Sequence, residues 1–348
     1  MELNMSIDFG MWLTALQRPI KLYEKKEWDK LDIVTQWLIA TRGTVTQLTA
    51  FAGVIAGLLA WRDGYFSWLP WLIMTIGLYF AHSTENLVND YIDFSRGIDE
   101  DNYYRAQYGI HPLVHKFWTR NDWLRWFLTA GTLATLAGIF MLIYTSFSPI
   151  VIGLFAIGIL MIPFYAYPLK YLGLGEILIY INWGLIIIPG VYTVLAGKIT
   201  PNLGYVALTG MAFGFGFGSF NLGKHIDKIP ADKAKNVKTL PVRIGERAAR
   251  YMNMTALILS YAIVLYLIFV ARFLTPAVLI AFFAWPRAWN VIKLLRNSRP
   301  TEPPPGFEFW PRWFSTPQLK HVRLFGGLYI IGLFADNLLR IFLPTFWR

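Results

Sequence analysis

The sequence has no cysteine and few charged residues. Charged residues make up only 15% of its 348 residues, whereas soluble domains average about 25%. The absence of cysteine excludes disulfides, thiolate metal sites and cysteine nucleophiles. A GxxxxGK[ST] loop and a Rossmann fingerprint are also missing, which excludes the two common nucleotide-binding motifs. The N-terminal stretch mixes acids and bases with short apolar runs, so we expect no cleavable signal peptide.

The sequence is rich in long apolar runs. Hydrophobic residues make up 55% of the chain, aromatic residues make up 17%, and the mean hydropathy is +0.43. Because a helix needs about 20 apolar residues to cross a bilayer, these runs predict an all-α integral membrane protein with nine transmembrane helices bundled around a central cavity. The predicted spans are about 36–60, 67–90, 124–145, 149–167, 174–196, 202–222, 251–271, 274–295 and 322–345.

The chain divides into an N-terminal segment and a membrane domain. Residues 1–35 are predicted to form an amphipathic interfacial segment, because tryptophan and leucine alternate with arginine and lysine there. Residues 36–348 form the predicted nine-helix domain. Most links between the spans are short, which favours antiparallel pairs of neighbouring helices. The three long polar connections are 91–123, 223–250 and 296–321.

Lysine and arginine are concentrated on one side of the predicted membrane. With nine spans, the N-terminus and the three long connections share one side, and that side carries most of the basic residues. Because such an excess stays in the cytoplasm, we predict cytoplasmic cap loops and a multi-pass protein of a prokaryotic plasma membrane. The same asymmetry accounts for the formal net charge of +11, so we expect no nucleic acid partner.

The second predicted span ends in a cluster of acids and amides. Asn86, Asn89, Asp90 and Asp93 lie at helical offsets of 0, 3, 4 and 7, so they share one face. A following glycine is expected to end the helix and to let Asp99 turn back towards them. A carboxylate costs about 2.5–3.5 kcal/mol at the middle of a span and less near its end. So many polar groups on one face of an apolar helix indicate a binding site.

Two further polar clusters end the fourth and sixth predicted spans. All even-numbered spans end on the same side of the membrane, so the three clusters should lie at one depth and form a single site. The fourth span contributes Tyr165, Tyr167 and Lys170, and the sixth contributes Asn221, Lys224, Asp227, Asp232 and Arg243.

Acids beside bases suggest a ligand that carries both a metal and phosphate. Magnesium prefers oxygen ligands and usually binds through one or two carboxylates plus substrate phosphates. Lysine and arginine contact phosphate oxygens directly. The clusters therefore predict a site for Mg²⁺ and a diphosphate. Because the site opens among lipid-embedded helices, the rest of the ligand should be apolar, as in an isoprenoid diphosphate.

These residues resemble the signatures of the UbiA superfamily of intramembrane prenyltransferases. The run NDYIDFSRGID at 89–99 follows the NDYxDxxxGxD form of 1,4-dihydroxy-2-naphthoate prenyltransferases. Residues 165–176 resemble the family's YxxPLK and GLGE segments, and residues 238–245 resemble its KTLxVRxG run. The nine-helix count agrees, and the resemblance covers nearly the whole chain from about residue 36.

The second family signature, DxxxD, is one residue longer in this chain. It extends from Asp227 to Asp232 and contains Pro230, which is expected to break the helix just before it. Asp232 keeps the family's spacing of seven residues to Thr239, so the extra residue falls between the two acids. The signature is usually preceded by arginine, and Lys224 is a candidate substitute that lacks the bidentate fork.

The resemblance implies a reaction and a role for each residue. A prenyl group would pass from an isoprenoid diphosphate to a lipophilic acceptor by magnesium-dependent ionisation of the allylic diphosphate. The motif forms favour an aromatic quinone precursor as the acceptor. The implied roles are binding of one magnesium by Asp90, Asp93 and Asp99 and of a second by Asp227 and Asp232, diphosphate binding by Asn86, Asn89, Lys170, Lys224 and Arg243, and catalysis or cation stabilisation by Tyr165, Tyr167 and Asn221.

Two other functions stay open on the sequence alone. A cation-coupled transporter also carries intramembrane acids, although usually near the midplane. A catalytically silent subunit that binds prenyl lipids would fit the lengthened second signature. Chlorophyll-type, haem, lipid and carotenoid acceptors are alternatives within the superfamily, and prenyl chain length, oligomeric state and protein partners are left undefined. His82 and His225 are interpreted as hydrogen-bonded residues, and Arg42 and Arg287 either as cavity-lining or as snorkelling residues.

Overall fold

The computed structural model describes residues 7–21, 24–99, 104–343, 345 and 347, which are mostly helical and form no strand. The helices in chain order are α1 (Phe9–Gln17), α2 (Lys25–Asp29), α3 (Ile33–Ala40), α4 (Gly43–Arg62), α5 (Trp68–Ser95), α6 (Tyr104–Tyr108), α7 (Arg120–Tyr144), α8 (Pro149–Leu169), α9 (Gly175–Ala196), α10 (Leu203–Asp227), α11 (Ile229–Ala234), α12 (Leu240–Ile244), α13 (Glu246–Val270), α14 (Pro276–Leu295) and α15 (Ser315–Phe342).

Eight of these helices are long and apolar enough to cross a membrane, namely α4, α7, α8, α9, α10, α13, α14 and α15. They confirm the prediction of a multi-pass integral membrane protein. The ninth predicted span corresponds to α5, whose 28 residues extend about 42 Å. α5 is not among the helices that are apolar enough to cross a membrane. Its C-terminal half carries the predicted acidic cluster, which lowers its mean hydropathy. The ninth crossing and the cytoplasmic orientation of the caps therefore stay predictions.

The first span begins later in the structure than the sequence predicts. Arg42 adopts left-handed backbone geometry with φ of 62° and separates α3 from α4. The separate α3 begins at Asp32, whose carboxylate accepts the backbone N–H of Val34 and of Thr35 at 3.0 Å. The predicted boundary at residue 36 therefore falls inside α3, and the apolar span is confined to α4.

The core of the bundle is built around α10. This helix packs against α9, α13 and α15, and the largest apolar cluster lies among them. Close approach of α9 and α10 depends on glycine, because a methyl group on Gly210 would lie 2.4 Å from the carbonyl oxygen of Gly184. By contrast, only 11% of the apolar stretch of α7, and of that of α8, is buried. These two helices form the outer edge of the bundle.

A helical cap covers the end of the bundle where the predicted polar clusters lie. Helices α1 to α3 and the segment after α6 pack together around Trp28, Trp37 and Trp118. The cap is fastened to α15 by Arg323, which donates to the carbonyl oxygen of Leu16 at 2.8 Å. Phe9 in α1 is 65% exposed, as expected for an amphipathic segment at a membrane surface.

Candidate functional site

A polar cavity of about 100 Å³ lies beneath the cap. Its walls are formed by the cap, α4, α5, α6 and α10, together with the single residues Tyr165 of α8, Ile179 of α9 and Arg312 before α15. Basic side chains outnumber acids in this lining, so the cavity favours a negatively charged ligand. The basic residues are Arg18, Arg42, Arg105, Lys224 and Arg312, and the amides are Asn86, Asn89 and Asn221.

Asp90 is bracketed by two arginines beside this cavity. Its two carboxylate oxygens accept hydrogen bonds from Arg42 and Arg105, and all three side chains are largely buried. Arg42 also donates to Asn86 at 3.3 Å, and the Asn86 amide donates to the carbonyl oxygen of Thr41 at 3.0 Å. The left-handed turn at Arg42 thus brings a guanidinium group against the acidic face of α5.

Asp93 pairs with the end of the fourth predicted span. The ammonium group of Lys170 lies 2.5 Å from Asp93 and donates to the amide oxygen of Asn89 at 3.0 Å. The hydroxyl of Tyr171 donates to the other Asp93 oxygen at 2.8 Å. Burial of this hydroxyl and the neighbouring Asp93 charge raise the pKa of Tyr171. The structure therefore brings the span-two and span-four clusters together, as predicted.

Asp99 is held by a histidine from the loop that follows α6. Its carboxylate lies 2.9 Å from Nε2 of His111, and both side chains are buried. Burial lowers the pKa of His111, although the hydrogen bond to Asp99 opposes this shift. Asp99 therefore anchors the cap in this conformation and does not line the polar cavity.

Asp227 is turned towards the N-terminus of α15. Its carboxylate accepts the backbone N–H of Phe314 at 2.9 Å and of Ser315 at 2.9 Å, and Arg299 lies 3.9 Å away. A negative charge at this position satisfies free N–H groups and the helix dipole. Magnesium binding by Asp227 would require these bonds to be released, and this role stays a prediction.

Asp232 belongs to a separate buried group. α10 ends at Asp227 and α11 begins at Ile229, which confirms the helix break predicted before Pro230. Asp232 then accepts a hydrogen bond from Thr239 at 3.1 Å and lies 3.4 Å from Lys228. The two acids of the second signature thus have different partners, and neither lines the polar cavity.

Eight predicted site residues lie outside the linings of both cavities, namely the five aspartates Asp90, Asp93, Asp99, Asp227 and Asp232 together with Lys170, Tyr167 and Arg243. Arg243 is exposed and donates to the carbonyl oxygens of Lys238 at 3.0 Å and of Tyr171 at 3.4 Å. Tyr167 is 50% exposed, and its ring lies 4.9 Å from the guanidinium carbon of Arg96. Tyr165 and Asn221, in contrast, do line the polar cavity.

An apolar cavity of about 750 Å³ lies among α5, α7, α8 and α9. Cavities for small organic ligands typically measure about 300–1,000 Å³. The polar and apolar cavities share four lining residues, His82, Glu85, Tyr165 and Ile179. The polar and apolar cavities are therefore adjacent and meet at these four side chains, with a charged side and a hydrophobic side.

Several residues of this site had no assigned role on the sequence alone. In the sequence, Arg42 is recognisable only as a charged residue inside a predicted span, and it could either line the cavity or snorkel. The structure shows that it lines the polar cavity. Arg105 lies in a connection without a periodic pattern, so its contact with Asp90 has no sequence signal. Arg287 donates to the carbonyl oxygen of Lys320 at 3.2 Å and is exposed.

Carboxylates and imidazoles do not form a ready-made metal cage in the described part of the chain. No group of three or more Asp, Glu, His or Cys side chains there could hold a metal ion. Each acid of the first signature is instead paired with a basic residue. The donor set that remains beside the cavity consists of the Asp90 and Asp93 carboxylates and the Asn86 and Asn89 amides.

Comparison with known protein families gives a match over most of the chain. The sequence model of the UbiA prenyltransferase family matches residues 50–311. No curated protein matches the chain. The matched range contains both acidic signatures and every residue that lines the apolar cavity except Thr49, whereas α1, α2, α3 and Arg42 precede it.

Proposed function

The chain belongs to the UbiA prenyltransferase family, and on this premise we propose that it transfers a prenyl group from an isoprenoid diphosphate to a lipophilic aromatic acceptor. Members of this family are intramembrane transferases, which fits the eight apolar helices. The motif forms at 89–99 and 238–245 support a quinone precursor as the acceptor. The excess of basic residues on the cap side supports a prokaryotic plasma membrane with the site facing the cytoplasm.

The adjacency of a basic polar cavity and a large apolar cavity is the observation that carries this proposal. A prenyl diphosphate has a highly charged head and a long apolar tail. The basic polar cavity beneath the cap suits the head, and the 750 Å³ apolar cavity suits the tail. The reacting allylic carbon would then lie where the two cavities meet, near Tyr165. A midplane ion pathway of the kind that transporters use would not require so large an apolar cavity.

The acids of the first signature fit magnesium. Asp90 and Asp93 supply carboxylate oxygens and Asn89 supplies an amide oxygen on adjacent turns of α5, and magnesium needs only one or two carboxylates when substrate phosphates complete its ligands. Magnesium bound there would neutralise charge on the departing diphosphate. We propose Asp90 and Asp93 as the primary ligands, with Asp99, Asp227 and Asp232 as further ligands if their present partners are displaced.

The basic residues would bind the diphosphate oxygens. Lys224 lies in the polar cavity and has no hydrogen-bond or ion-pair partner among the described residues. Arg42 and Lys170 are bound to Asp90 and Asp93, and they would transfer part of their hydrogen bonding to phosphate when the acids bind metal. The departing diphosphate would thus meet three positive charges that are already in place.

Aromatic side chains would protect the reacting carbon. Tyr165 lies where the two cavities meet, and Trp183 on the apolar side stacks on Phe217 at a centroid distance of 3.8 Å. The faces of such rings attract cations, and an apolar wall excludes water that would otherwise capture the allylic cation. Tyr167 could contribute only if it turned inward from its exposed position.

Purified protein tests this proposal directly. It would be supplied with geranylgeranyl diphosphate and 1,4-dihydroxy-2-naphthoate or another hydroxylated aromatic acceptor, with magnesium or with EDTA, and products would be identified by mass spectrometry. We expect a C-prenylated product that requires magnesium. Turnover in EDTA would reject the magnesium role. Tight binding of the diphosphate without turnover would instead identify a catalytically silent subunit, which the helix-capping position of Asp227 favours as the second candidate.

A further inference from the structure

Glu85 occupies the boundary between the two cavities. It lines both of them, and it lies on α5 one helical turn before Asn89. Because each residue of a helix rises about 1.5 Å, its backbone lies ~6 Å deeper in the bundle than that of Asn89. Glu85 is therefore placed on the side of the polar cavity where the acceptor and the prenyl chain would meet.

The carboxylate of Glu85 has no partner in the described part of the chain. No hydrogen bond or ion pair of Glu85 is found there, whereas Asp90 and Asp93 are each bound by two residues. An acidic side chain inside a membrane domain is costly and generally marks a functional site. The chain neighbours Thr84 and Asn86 are buried and donate elsewhere, to the carbonyl oxygens of Phe80 and Thr41, so neither is a partner for Glu85.

We propose that Glu85 binds the hydroxyl group of the acceptor and takes its proton during prenyl transfer. This inference rests on the proposed function. In this step the nucleophilic ring carbon of the acceptor forms a bond to C1 of the prenyl group. The bond between C1 and the diphosphate oxygen breaks, and its electron pair leaves with the diphosphate. The hydroxyl proton passes to the Glu85 carboxylate, so the alkylated ring is left as a neutral ketone. The proton on the alkylated carbon then passes to water while Glu85 returns its proton to the ketone oxygen, which restores the aromatic ring, its hydroxyl group and the Glu85 carboxylate.

His82 is the other basic group at the boundary, but its surroundings favour a structural role. Its Nδ1 lies 2.7 Å from the hydroxyl of Thr49, and its ring makes edge contacts with Trp183 and Phe217. This bears out the interpretation of His82 as a hydrogen-bonded residue. The charged groups that act on Glu85 are Arg42, Lys224 and Lys170 from neighbouring elements and Asp93 from α5 itself.

The substrate class follows from this arrangement. The acceptor should carry a hydroxyl beside its nucleophilic carbon, as phenols, naphthols and hydroquinones do. A carboxylate in the same position would be repelled by Glu85. Any acidic substituent of the acceptor should therefore point to Arg42 or Lys224 on the polar side.

A series of acceptors with hydroxyl groups of different acidity tests the role of Glu85. Wild-type protein, Glu85→Gln and Glu85→Ala would be assayed with each acceptor, and binding of a non-reactive prenyl thiodiphosphate would be measured in parallel. We expect Glu85→Gln to lower kcat about 100-fold or more for weakly acidic hydroxyls and progressively less for more acidic ones. The thiodiphosphate Kd should change less than about twofold, because the polar cavity keeps its bases.

A matched control and three other outcomes complete the test. Glu302→Gln makes the same change at an exposed carboxylate and should leave all rates unchanged. Unchanged turnover in Glu85→Gln, or an equal loss for every acceptor, would overturn the role of Glu85 while leaving prenyl transfer intact. If Glu85→Gln lost thiodiphosphate affinity to the same extent as kcat, the role of Glu85 would also be overturned. Glu85 would then maintain the structure of the polar cavity instead of acting on the acceptor. Wild-type protein without turnover for any pair would overturn the proposed function and this inference together.

Discussion

The two ends of the helical bundle both contain charged residues, but they use them differently. At the end far from the cap, Arg62, Asp63, Asp336 and Arg340 form what we call the far-end cluster. Asp63 accepts hydrogen bonds from Tyr192 at 2.6 Å and from Asn202 at 3.0 Å. Asp336 accepts the backbone N–H of Thr275 at 2.7 Å, and Arg340 lies 3.2 Å from it. Arg62 and Arg340 both donate to the carbonyl oxygen of Phe273.

Beneath the cap the pairing is incomplete. Lys224 and Glu85 have no partner among the described residues, and Arg42 and Lys170 share acids that are also suited to magnesium. Fully paired charges stabilise a fold, because removing one partner leaves the other buried and unsatisfied. Charges without partners lower stability and are retained where function needs them. The comparison indicates that the far end holds the bundle together and that the capped end binds ligand.

An aspartate-to-asparagine change at each end tests whether the capped end serves function and the far end serves stability. The largest effect is expected for Asp90→Asn at the capped end. We expect kcat/KM for prenyl transfer to fall about 10³-fold, because one carboxylate of the charge-neutralising set is lost. Steady-state assays at saturating magnesium would measure the effect. Activity that returns to the wild-type value at high magnesium would show that Asp90 contributes only affinity for the metal. Activity close to wild type at every magnesium concentration would reject Asp90 as a ligand.

The matched variant at the far end is Asp336→Asn. We expect a loss of about 2 kcal/mol in stability, because the charged hydrogen-bond acceptor of Thr275 and Arg340 becomes neutral. Thermal unfolding in detergent would report the loss as a lower Tm. The kcat of the folded protein should not change when it is assayed well below that temperature. A fall in kcat with an unchanged Tm would show that the far-end cluster takes part in function.

Some contacts of the charged residues could be predicted from the sequence and others could not. The difference depends on whether helical spacing and the direction of successive spans determine the contact. Helical spacing placed Asn89 and Asp93 on one face, and the direction of successive spans brought that face to Lys170, as the structure confirms. Spacing alone could not show that Asp227 would bind backbone groups 87 and 88 residues further on. Such a contact is set by the packing of α10 against α15.

The contacts of the cap could likewise be predicted only in part from the sequence. The composition of the cap predicts an amphipathic segment on the membrane surface, which stays a prediction. No sequence pattern predicts that Arg18 lines the polar cavity or that Arg42 leaves helical geometry between α3 and α4. Both follow from tertiary contacts across the cap, including those that Arg323 makes with Leu16 and Thr44.

Lys224→Met tests whether an unpaired charge of the capped end serves ligand binding or stability. Because Lys224 has no hydrogen-bond or ion-pair partner among the described residues, its removal should not lower the Tm, and relief of an unpaired intramembrane charge should raise it slightly. We expect KM for the prenyl diphosphate to rise about 10-fold through loss of one phosphate contact. Kinetics and thermal unfolding of the same preparation would separate the two effects. A lower Tm with unchanged KM would place Lys224 among the structural charges.

The smallest effect is expected at Asp32, a charged residue of the capped end that is fully paired. Burial alone would raise the pKa of Asp32, but hydrogen bonds from Thr35, Trp12 and Val34 outweigh it and lower that pKa. Asp32→Ala should therefore cost about 1 kcal/mol of stability at neutral pH, as loss of a helix cap does, without changing kcat. Since the pKa is lower in the folded state, the ionised carboxylate stabilises the fold above its unfolded pKa of about 3.9, and this contribution is lost as the pH falls.

The pH dependence decides whether the charge of Asp32 is the cause. The difference in Tm between wild-type protein and Asp32→Ala should be constant near neutral pH and should narrow below about pH 4. A difference that persists undiminished in acid would assign the effect to packing against Trp12 rather than to the ionised cap. A fall in kcat without a change in Tm would contradict the division between paired and unpaired charges, since a fully paired residue would then act in catalysis.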